Sequence, residues 1–189
     1  MKKIIIKKGK HYNRFFFGLS FKKVIRKTFI FHKSCRYVLP KEDEGDINKL
    51  FGVYSITLKG LLYTLKSIVT AIKNKNLKLI KSLHQYNSVR FGWVYNPVSD
   101  DIDIYSYIYE NGILSFKKIC SAKIEKEYDY IIRISKSHSK LIVIEHSTKI
   151  IDSLMVSSNI FASIYLNLGA YFGGNNPAPH DIIIKKRGN

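Results

Sequence analysis

Apolar and polar residues alternate with a period of two in several short runs of the chain. In residues 88–95 the odd positions are Val, Phe, Trp and Tyr, whereas Arg90 lies on the opposite side. In residues 102–109 isoleucines at 102, 104 and 108 alternate with tyrosines at 105, 107 and 109. Because successive side chains of a β-strand point to opposite faces, both runs are predicted to be strands with one buried face.

Turn signals recur at intervals of roughly 8–12 residues and separate further β-rich runs. We expect additional strands at residues 28–38, 113–119, 128–134, 140–146, 160–166 and 181–186. Asn111 and Gly112 both tolerate the positive φ of a type I′ turn, so they predict a hairpin. Antiparallel strands with short connections must bury one face. The predicted fold is therefore mainly β, an antiparallel two-sheet jelly-roll or concanavalin-like sandwich.

The period changes near residues 59–83, where apolar residues recur every three or four positions. They lie at 58, 61, 62, 65, 68, 69 and 72, and again at 77, 79, 80 and 83. This spacing predicts a basic helical insertion, broken into two helices at residues 73–76. The first interpretation is a surface helix that covers one end of a sheet. The alternative is a basic amphipathic helix that lies on anionic lipid or in the groove of a partner.

Charge is distributed unevenly along a chain whose length of 189 residues suits a single domain. The formal net charge is +18, and residues 1–40 hold 12 basic residues and no acidic one. The basic N-terminal segment, residues 1–27, is predicted to be part of this one β-sandwich domain. A one-sided positive field favours a polyanionic partner, such as nucleic acid, anionic lipid or an acidic polysaccharide.

Several classes of protein and site are disfavoured by the composition. Two cysteines, Cys35 and Cys120, build neither a disulfide scaffold nor a thiolate zinc site. Phosphate-binding, dinucleotide-binding, serine-hydrolase and zinc-protease motifs are absent, so we expect no cofactor. No stretch suits a secretory signal or a membrane span, and the final compartment stays open.

The row formed by Tyr105, Tyr107 and Tyr109 is the first candidate for a binding surface. If the isoleucine side of this strand is buried, three phenol rings line the outer face of a sheet. Such a platform stacks against sugar rings or bases while its hydroxyls form hydrogen bonds. The structural alternative is that the tyrosines are strand-forming residues that pack under the helical insertion.

Arg90 lies on the predicted outer face of its strand and could lie beside the tyrosines, with His84 at the rim. Arginine to hold a carboxylate, with histidine and tyrosine as base and acid, is the set required for β-elimination of a uronic acid. Residues His84, Arg90 and Tyr107 are therefore the candidate catalytic set of a lyase.

A loop rich in Gly, Asn and Pro occupies residues 169–181 and is expected to close one end of the sandwich. His180 is a candidate ligand-binding residue at its end. His180 with Asp181, or the aspartates at 100, 101 and 103, could supply single metal ligands, but one or two ligands do not make a site. We therefore predict no metal site.

Three parts of the chain resemble a group of small uncharacterised β-sandwich proteins from gut Bacteroidales and their phages. The resemblance rests on residues 46–52, on residues 88–93 with 107–112, and on residues 171–175 with 178–181. It covers roughly positions 28–58 and 84–186, with residues 59–83 as an insertion. It implies a compact sandwich in a virion or surface context and carries no catalytic residues.

These observations favour a non-enzymatic module that binds an anionic glycan or serves as a phage virion or attachment component. The predicted ligand-binding residues are Arg90, Tyr105, Tyr107, Tyr109 and His180. One alternative is a polysaccharide lyase-like enzyme that acts on uronate glycans. The other is sequence-independent binding of nucleic acid through the basic N-terminal half, which salt would weaken steeply.

Overall fold

Two six-stranded antiparallel sheets face each other in the computed structural model of the chain. The structure describes residues 1–13, 18–39, 46–145, 149–157, 160, 162, 164–173 and 176–188. Its strands are β1 (Lys2–Ile6), β2 (Leu19–Ser20), β3 (Val24–Phe31), β4 (Asn48–Ser55), β5 (Ser88–Asn96), β6 (Asp101–Glu110), β7 (Ile113–Lys123), β8 (Glu127–Ile134), β9 (His138–Glu145), β10 (Lys149–Ser157), β11 (Tyr165–Leu168) and β12 (Ile182–Lys186).

The first sheet has the strand order β1-β12-β3-β8-β9-β10, and the second has the order β2-β11-β4-β5-β6-β7. Each sheet contains a run of consecutive strands joined by short connections, namely β8 to β10 and β5 to β7. The turn between β6 and β7 has positive φ at both Asn111 (52°) and Gly112 (83°), as the hairpin prediction requires. The mainly β, two-sheet sandwich is confirmed.

An aromatic layer fills the space between the sheets. The ring centroid of Trp93 from β5 lies 5.3 Å from that of Phe31 from β3, and Phe91 lies 5.3 Å from Tyr130 of β8. The predicted inner face of β6, with isoleucines at 102, 104 and 108, is also fully buried. Since each large apolar side chain contributes about 1.5–3 kcal/mol on burial, this layer holds the two sheets together.

Some strand boundaries differ from the sequence prediction. The strand expected at residues 28–38 ends at Phe31, and a 3₁₀ turn, Lys33–Cys35, follows. The backbone N–H of Ser34 donates to Nδ1 of His32, which caps this turn and redirects the chain. Strand β10 was not predicted, and the strand expected at 160–166 is confined to Tyr165–Leu168.

The insertion contains one α-helix, α1 (Leu58–Lys73), and two 3₁₀ turns, Leu77–Leu79 and Leu83–Gln85. Oγ1 of Thr57 accepts a hydrogen bond from the N–H of Gly60 and caps the helix. The predicted break at residues 73–76 is present, but no second α-helix follows it. No helix in the described ranges is both long and apolar enough to cross a membrane.

Helix α1 lies at one end of the second sheet, where Tyr63 packs beside Gly112 of the β6–β7 turn, but the helix does not bury its leucines there. Its buried residues are small, namely Gly60, Ser67 and Ala71. Most of its leucines face solvent instead. The reason is that residues 77–86 fold back against the helix, where the N–H of Lys81 donates to Oγ of Ser67 over 2.9 Å. Only small residues allow this close approach.

One buried hydroxyl provides a test of the core. Oη of Tyr130 is buried and has no hydrogen-bond partner in the described part of the chain. We expect Tyr130→Phe to raise the free energy of unfolding by about 1 kcal/mol, because it removes an unsatisfied buried polar group. Urea unfolding monitored by circular dichroism measures this change.

Tyr37→Phe is the matched control, because it removes a hydroxyl that is used. Oη of Tyr37 accepts hydrogen bonds from Nδ2 of Asn48 (2.6 Å) and from the N–H of Tyr95 (3.4 Å). This variant should lose about 1–2 kcal/mol of stability, since buried Asn48 would lose an acceptor. If both tyrosine variants were destabilised equally, the Tyr130 hydroxyl would have a partner after all.

Candidate functional site

The outer face of the second sheet carries the candidate site. Gly52 of β4, Arg90 of β5 and Tyr107 of β6 lie directly opposite one another in adjacent strands. Val89 and Phe91, on either side of Arg90 in β5, point into the core. Because successive side chains of a strand alternate, Arg90 lies on the outer face. The sequence places Arg90 and the tyrosines on one surface, and the register agrees.

A cavity of about 730 Å³ opens over this row of residues. Lys49, Arg90 and Tyr107 form its floor. Residues 82–85 of the insertion form one wall, and residues 167–171 form another together with Tyr12. The loop at 169–181, which is expected from the sequence to close one end of the sandwich, also supplies part of a pocket wall.

Gly52 makes room for the side chain of Arg90. A Cβ atom at position 52 would lie 2.4 Å from Cγ of Arg90 and 2.4 Å from the carbonyl oxygen of Val89. The arginine can therefore extend across the neighbouring strand only because position 52 has no side chain. Its Nη2 donates to the carbonyl oxygen of Gly169 over 3.2 Å, which joins the floor to the far wall.

Arg90 is a buried cation, with 7% of its surface exposed. Its Nε has no hydrogen-bond partner, and it forms no salt bridge, within the described part of the chain. Burial lowers the pKa of Arg90 to about 10, and the nearby tyrosines Tyr107, Tyr109 and Tyr171 oppose this change. The guanidinium is still charged at neutral pH, so its desolvation is only partly compensated.

Lys49 is the second buried cation of the floor, and sequence analysis missed it. It is 9% exposed, and its Nζ lies 4.5 Å from the ring centroid of Tyr107 and 5.6 Å from that of Tyr171. Burial, and then the charge of Arg90, lower the pKa of Lys49 to about 8, while Asp46 opposes the shift. Two like charges thus face one cavity.

A β-bulge explains why the sequence pattern hides Lys49. Counting by twos from Phe51 and Val53, both in the core, would place Lys49 in the core as well. The register between β4 and β5 shifts between Lys49 and Phe51, so that Lys49 lies opposite Gly92 on the outer face. Reciprocal backbone hydrogen bonds with Tyr171, of 2.8 and 2.9 Å, hold the strand in this position.

His84 lies in the wall of the insertion, as the lyase hypothesis requires. Its Nδ1 is 2.9 Å from Oγ of Ser82, and its ring contacts Tyr54 edge-on at 6.3 Å between centroids. Burial, the charge of Arg90 and the charge of Lys49 lower the pKa of His84 to about 4. The imidazole is therefore neutral at physiological pH.

The three predicted tyrosines do not share one environment. Tyr107 and Tyr109 line the cavity and contact each other edge-on, with centroids 5.9 Å apart. Burial raises the pKa of Tyr107, so its phenol keeps its proton. Tyr105 lies on the same face but outside the cavity, opposite Gly92.

His180 lies away from the cavity. Its Nε2 is 2.9 Å from the carbonyl oxygen of Ser34, near the 3₁₀ turn that follows β3. The adjacent Asp181 forms a salt bridge with Lys7 at 2.7 Å. Across the residues that the structure describes, no three His, Cys, Asp or Glu side chains are grouped as metal ligands.

Aromatic side chains that sequence analysis did not select complete the walls. Tyr171 stacks on His11 with ring centroids 5.3 Å apart and an angle of 12° between the planes. Tyr12 and Tyr54 also line the cavity. No local pattern marks these residues, because they come from segments far apart in the chain.

Comparison with known proteins finds distant similarity in structure. No family model matches the chain, and no curated protein matches it in sequence. A solved structure of winged bean acidic lectin, complexed with methyl-α-D-galactose, is 10% identical with a TM-score of 0.41. The match covers 97% of this chain and 72% of the lectin chain.

The low pKa of His84 makes stability depend on pH. Between about pH 6.5 and pH 4 the unfolded chain binds a proton at this residue and the folded chain does not, so acid destabilises the fold. We expect wild-type protein to lose stability over this interval relative to a His84→Asn variant. Urea unfolding at several pH values measures the difference.

An NMR titration of the His84 ring provides the direct check on this prediction. A midpoint near the ordinary histidine value of about 6.5, together with parallel stability curves for the two proteins, would contradict the burial that the structure gives this side chain.

Proposed function

We propose that the cavity binds an anionic glycan and holds the carboxylate or sulfate group of one sugar between Lys49 and Arg90. The observation that carries this proposal is a pair of buried cations on the floor of one cavity, neither in a salt bridge within the described residues. An anion between them would replace the solvation that both groups lose on folding.

The chemistry of the two cations supports a planar or tetrahedral oxyanion as the bound group. The guanidinium of Arg90 offers paired N–H donors that match two oxygens of one carboxylate or sulfate. Its Nε–H has no other acceptor among the described residues and is available for that role. Lys49 adds a point charge from the neighbouring strand.

The walls of the cavity support a sugar as the carrier of this anion. Tyr107, Tyr109 and Tyr171 offer apolar ring faces that pack against the C–H groups of a pyranose, and hydroxyls that bond its oxygens. The volume of about 730 Å³ lies within the usual range of small-molecule sites. A single small ion would not need this space or this aromatic lining.

The lyase hypothesis is the second candidate, because His84, Arg90 and Tyr107 line the same cavity. In β-elimination, Arg90 would neutralise the uronate carboxylate and His84 would take the C5 proton. The electron pair of the C5–H bond would form the C4–C5 double bond as the C4–O4 bond breaks, and Tyr107 would protonate the leaving oxygen, O4. A base with a pKa of about 4 is weak at neutral pH, so we favour binding over catalysis.

A change in the ultraviolet absorbance of a uronate glycan on incubation with the protein would reveal the unsaturated product of elimination. If it appears and His84→Asn abolishes it, the lyase hypothesis replaces the binding proposal. Nucleic-acid binding through the N-terminal half and a role in a virion or in attachment remain predictions. A DNA column beside the glycan columns tests the first of these.

Removal of the Arg90 charge should weaken binding. On heparin and alginate columns, Arg90→Gln and Tyr107→Ala should elute at lower salt than wild type, and the affinity of Arg90→Gln for a uronate oligosaccharide should fall at least about tenfold. The matched control is Lys140→Gln, which removes one charge from an exposed position on β9. If all four proteins elute together, only the overall charge binds these columns.

Binding should also weaken as Lys49 loses its proton. Because the pKa of Lys49 is about 8, we expect affinity for the anionic oligosaccharide to fall as pH rises from about 7 to about 9. Lys49→Arg keeps its charge over this range and should bind with little dependence on pH. Isothermal titration calorimetry of both proteins tests this. Identical pH profiles would show that Lys49 does not contact the anion.

A further inference from the structure

Helix α1 faces the rest of the protein with small residues and one tyrosine, Tyr63. Gly60, Ser67 and Ala71 are buried, and Tyr63 and Thr64 are partly buried beside them. Tyr86 lies under Gly60, where a Cβ atom would approach its ring to 3.2 Å. The leucines of the helix, together with Val69 and Ile72, are therefore left on the side away from the sandwich.

These larger residues form a continuous apolar surface, which we name the outer stripe. Its members recur every three or four positions, which is the spacing of one helix face, and each is between 41% and 73% exposed. They are Leu58, Leu61, Leu62, Leu65, Val69 and Ile72. At 1.5 Å per residue the helix presents this stripe over about 24 Å.

A row of lysines borders the outer stripe. Lys59, Lys66 and Lys73 are seven residues apart and all exposed, so they follow one edge of the stripe along the helix axis. Lys75, Lys78 and Lys81 continue the exposed positive charge beyond the helix end. The sequence has no acidic residue between Asp46 and Asp100, so nothing in the insertion neutralises these six charges.

We propose that the outer stripe docks on an anionic lipid surface. A helix with an apolar face bordered by lysines lies in the plane of a membrane interface, with its leucines among the acyl chains. The lysine ammonium groups then reach the phosphate headgroups at the level of the helix axis. The helix would contact the membrane from outside without crossing it.

Charge distinguishes this partner from a second copy of the chain. Two copies packed through their outer stripes would bring two lysine rows together, and no acidic side chain of the insertion could pair with them. A net charge of +18 on each copy opposes such a contact further. The stripe is also convex, being one helix, and so matches a fluid surface without any complementary groove.

Sedimentation of the full chain with lipid vesicles tests the proposal. Wild-type protein should bind phosphatidylcholine vesicles that contain phosphatidylglycerol, and should bind pure phosphatidylcholine far less. Leu62→Gln/Leu65→Gln should reduce partitioning at least roughly tenfold, because two leucine side chains would no longer be buried among the acyl chains. Lys59→Gln/Lys66→Gln should reduce it about fivefold for each lysine removed.

Two matched pairs control for apolar and charged surface elsewhere. Val38→Gln/Val98→Gln changes exposed valines outside the helix, and Lys136→Gln/Lys140→Gln removes two exposed charges near and on β9. Both should bind vesicles as wild type does. Leu62→Gln/Leu65→Gln should keep its circular dichroism spectrum and its retention on the glycan columns, since neither leucine lines the cavity.

Three outcomes would overturn the proposal. If the helix variants and the control variants lost vesicle binding equally, only the diffuse charge of the protein would be binding lipid. A self-association in analytical ultracentrifugation that Leu62→Gln/Leu65→Gln abolishes would assign the stripe to a second copy. If the protein bound soluble poly-glutamate but not vesicles, and both helix variants weakened that binding, the outer stripe would be assigned to an acidic protein partner.

Discussion

The burial of an aromatic layer between two sheets is the constraint on which the rest of this structure depends. Phe91 and Trp93 of β5 pack against Tyr130 and Phe31 of the opposite sheet. A slip of one residue would expose this entire face, so the register of β5 is strongly determined. The same register holds Arg90 on the outer face, opposite Gly52 and Tyr107. The core thus positions the site without contributing a side chain to it.

The site itself works against stability. Two cations are buried side by side in the floor of one cavity, and burial lowers the pKa of both Lys49 and Arg90. Replacing such groups by apolar side chains of similar size often stabilises a protein. Their presence is therefore easier to explain by a ligand than by folding. Burial, and then the charges of Arg90 and Lys49, lower the pKa of His84, so its imidazole adds no third positive charge to the site at neutral pH.

The helical insertion contributes to two surfaces. Its C-terminal part, residues 82–85, forms a wall of the cavity, whereas α1 presents leucines and lysines to solvent. Both features follow from the way residues 77–86 fold back on the small-residue side of the helix. The proposed glycan site and the proposed lipid surface are thus close in sequence, yet they use different residues and are tested by different variants.

The sequence by itself determined the fold class, the hairpin at Asn111 and Gly112, and the shared outer face of Arg90, Tyr107 and Tyr109. These are local consequences of a period-two pattern and of backbone propensity. Tertiary structure alone decided the rest. A β-bulge placed Lys49 on the cavity floor rather than in the core, and contacts between distant segments brought Tyr12 and Tyr171 to the walls of the same cavity. A helical period shows that a helix has an apolar face, but small residues decided which face α1 buries. Such outcomes depend on long-range packing, which no local pattern encodes.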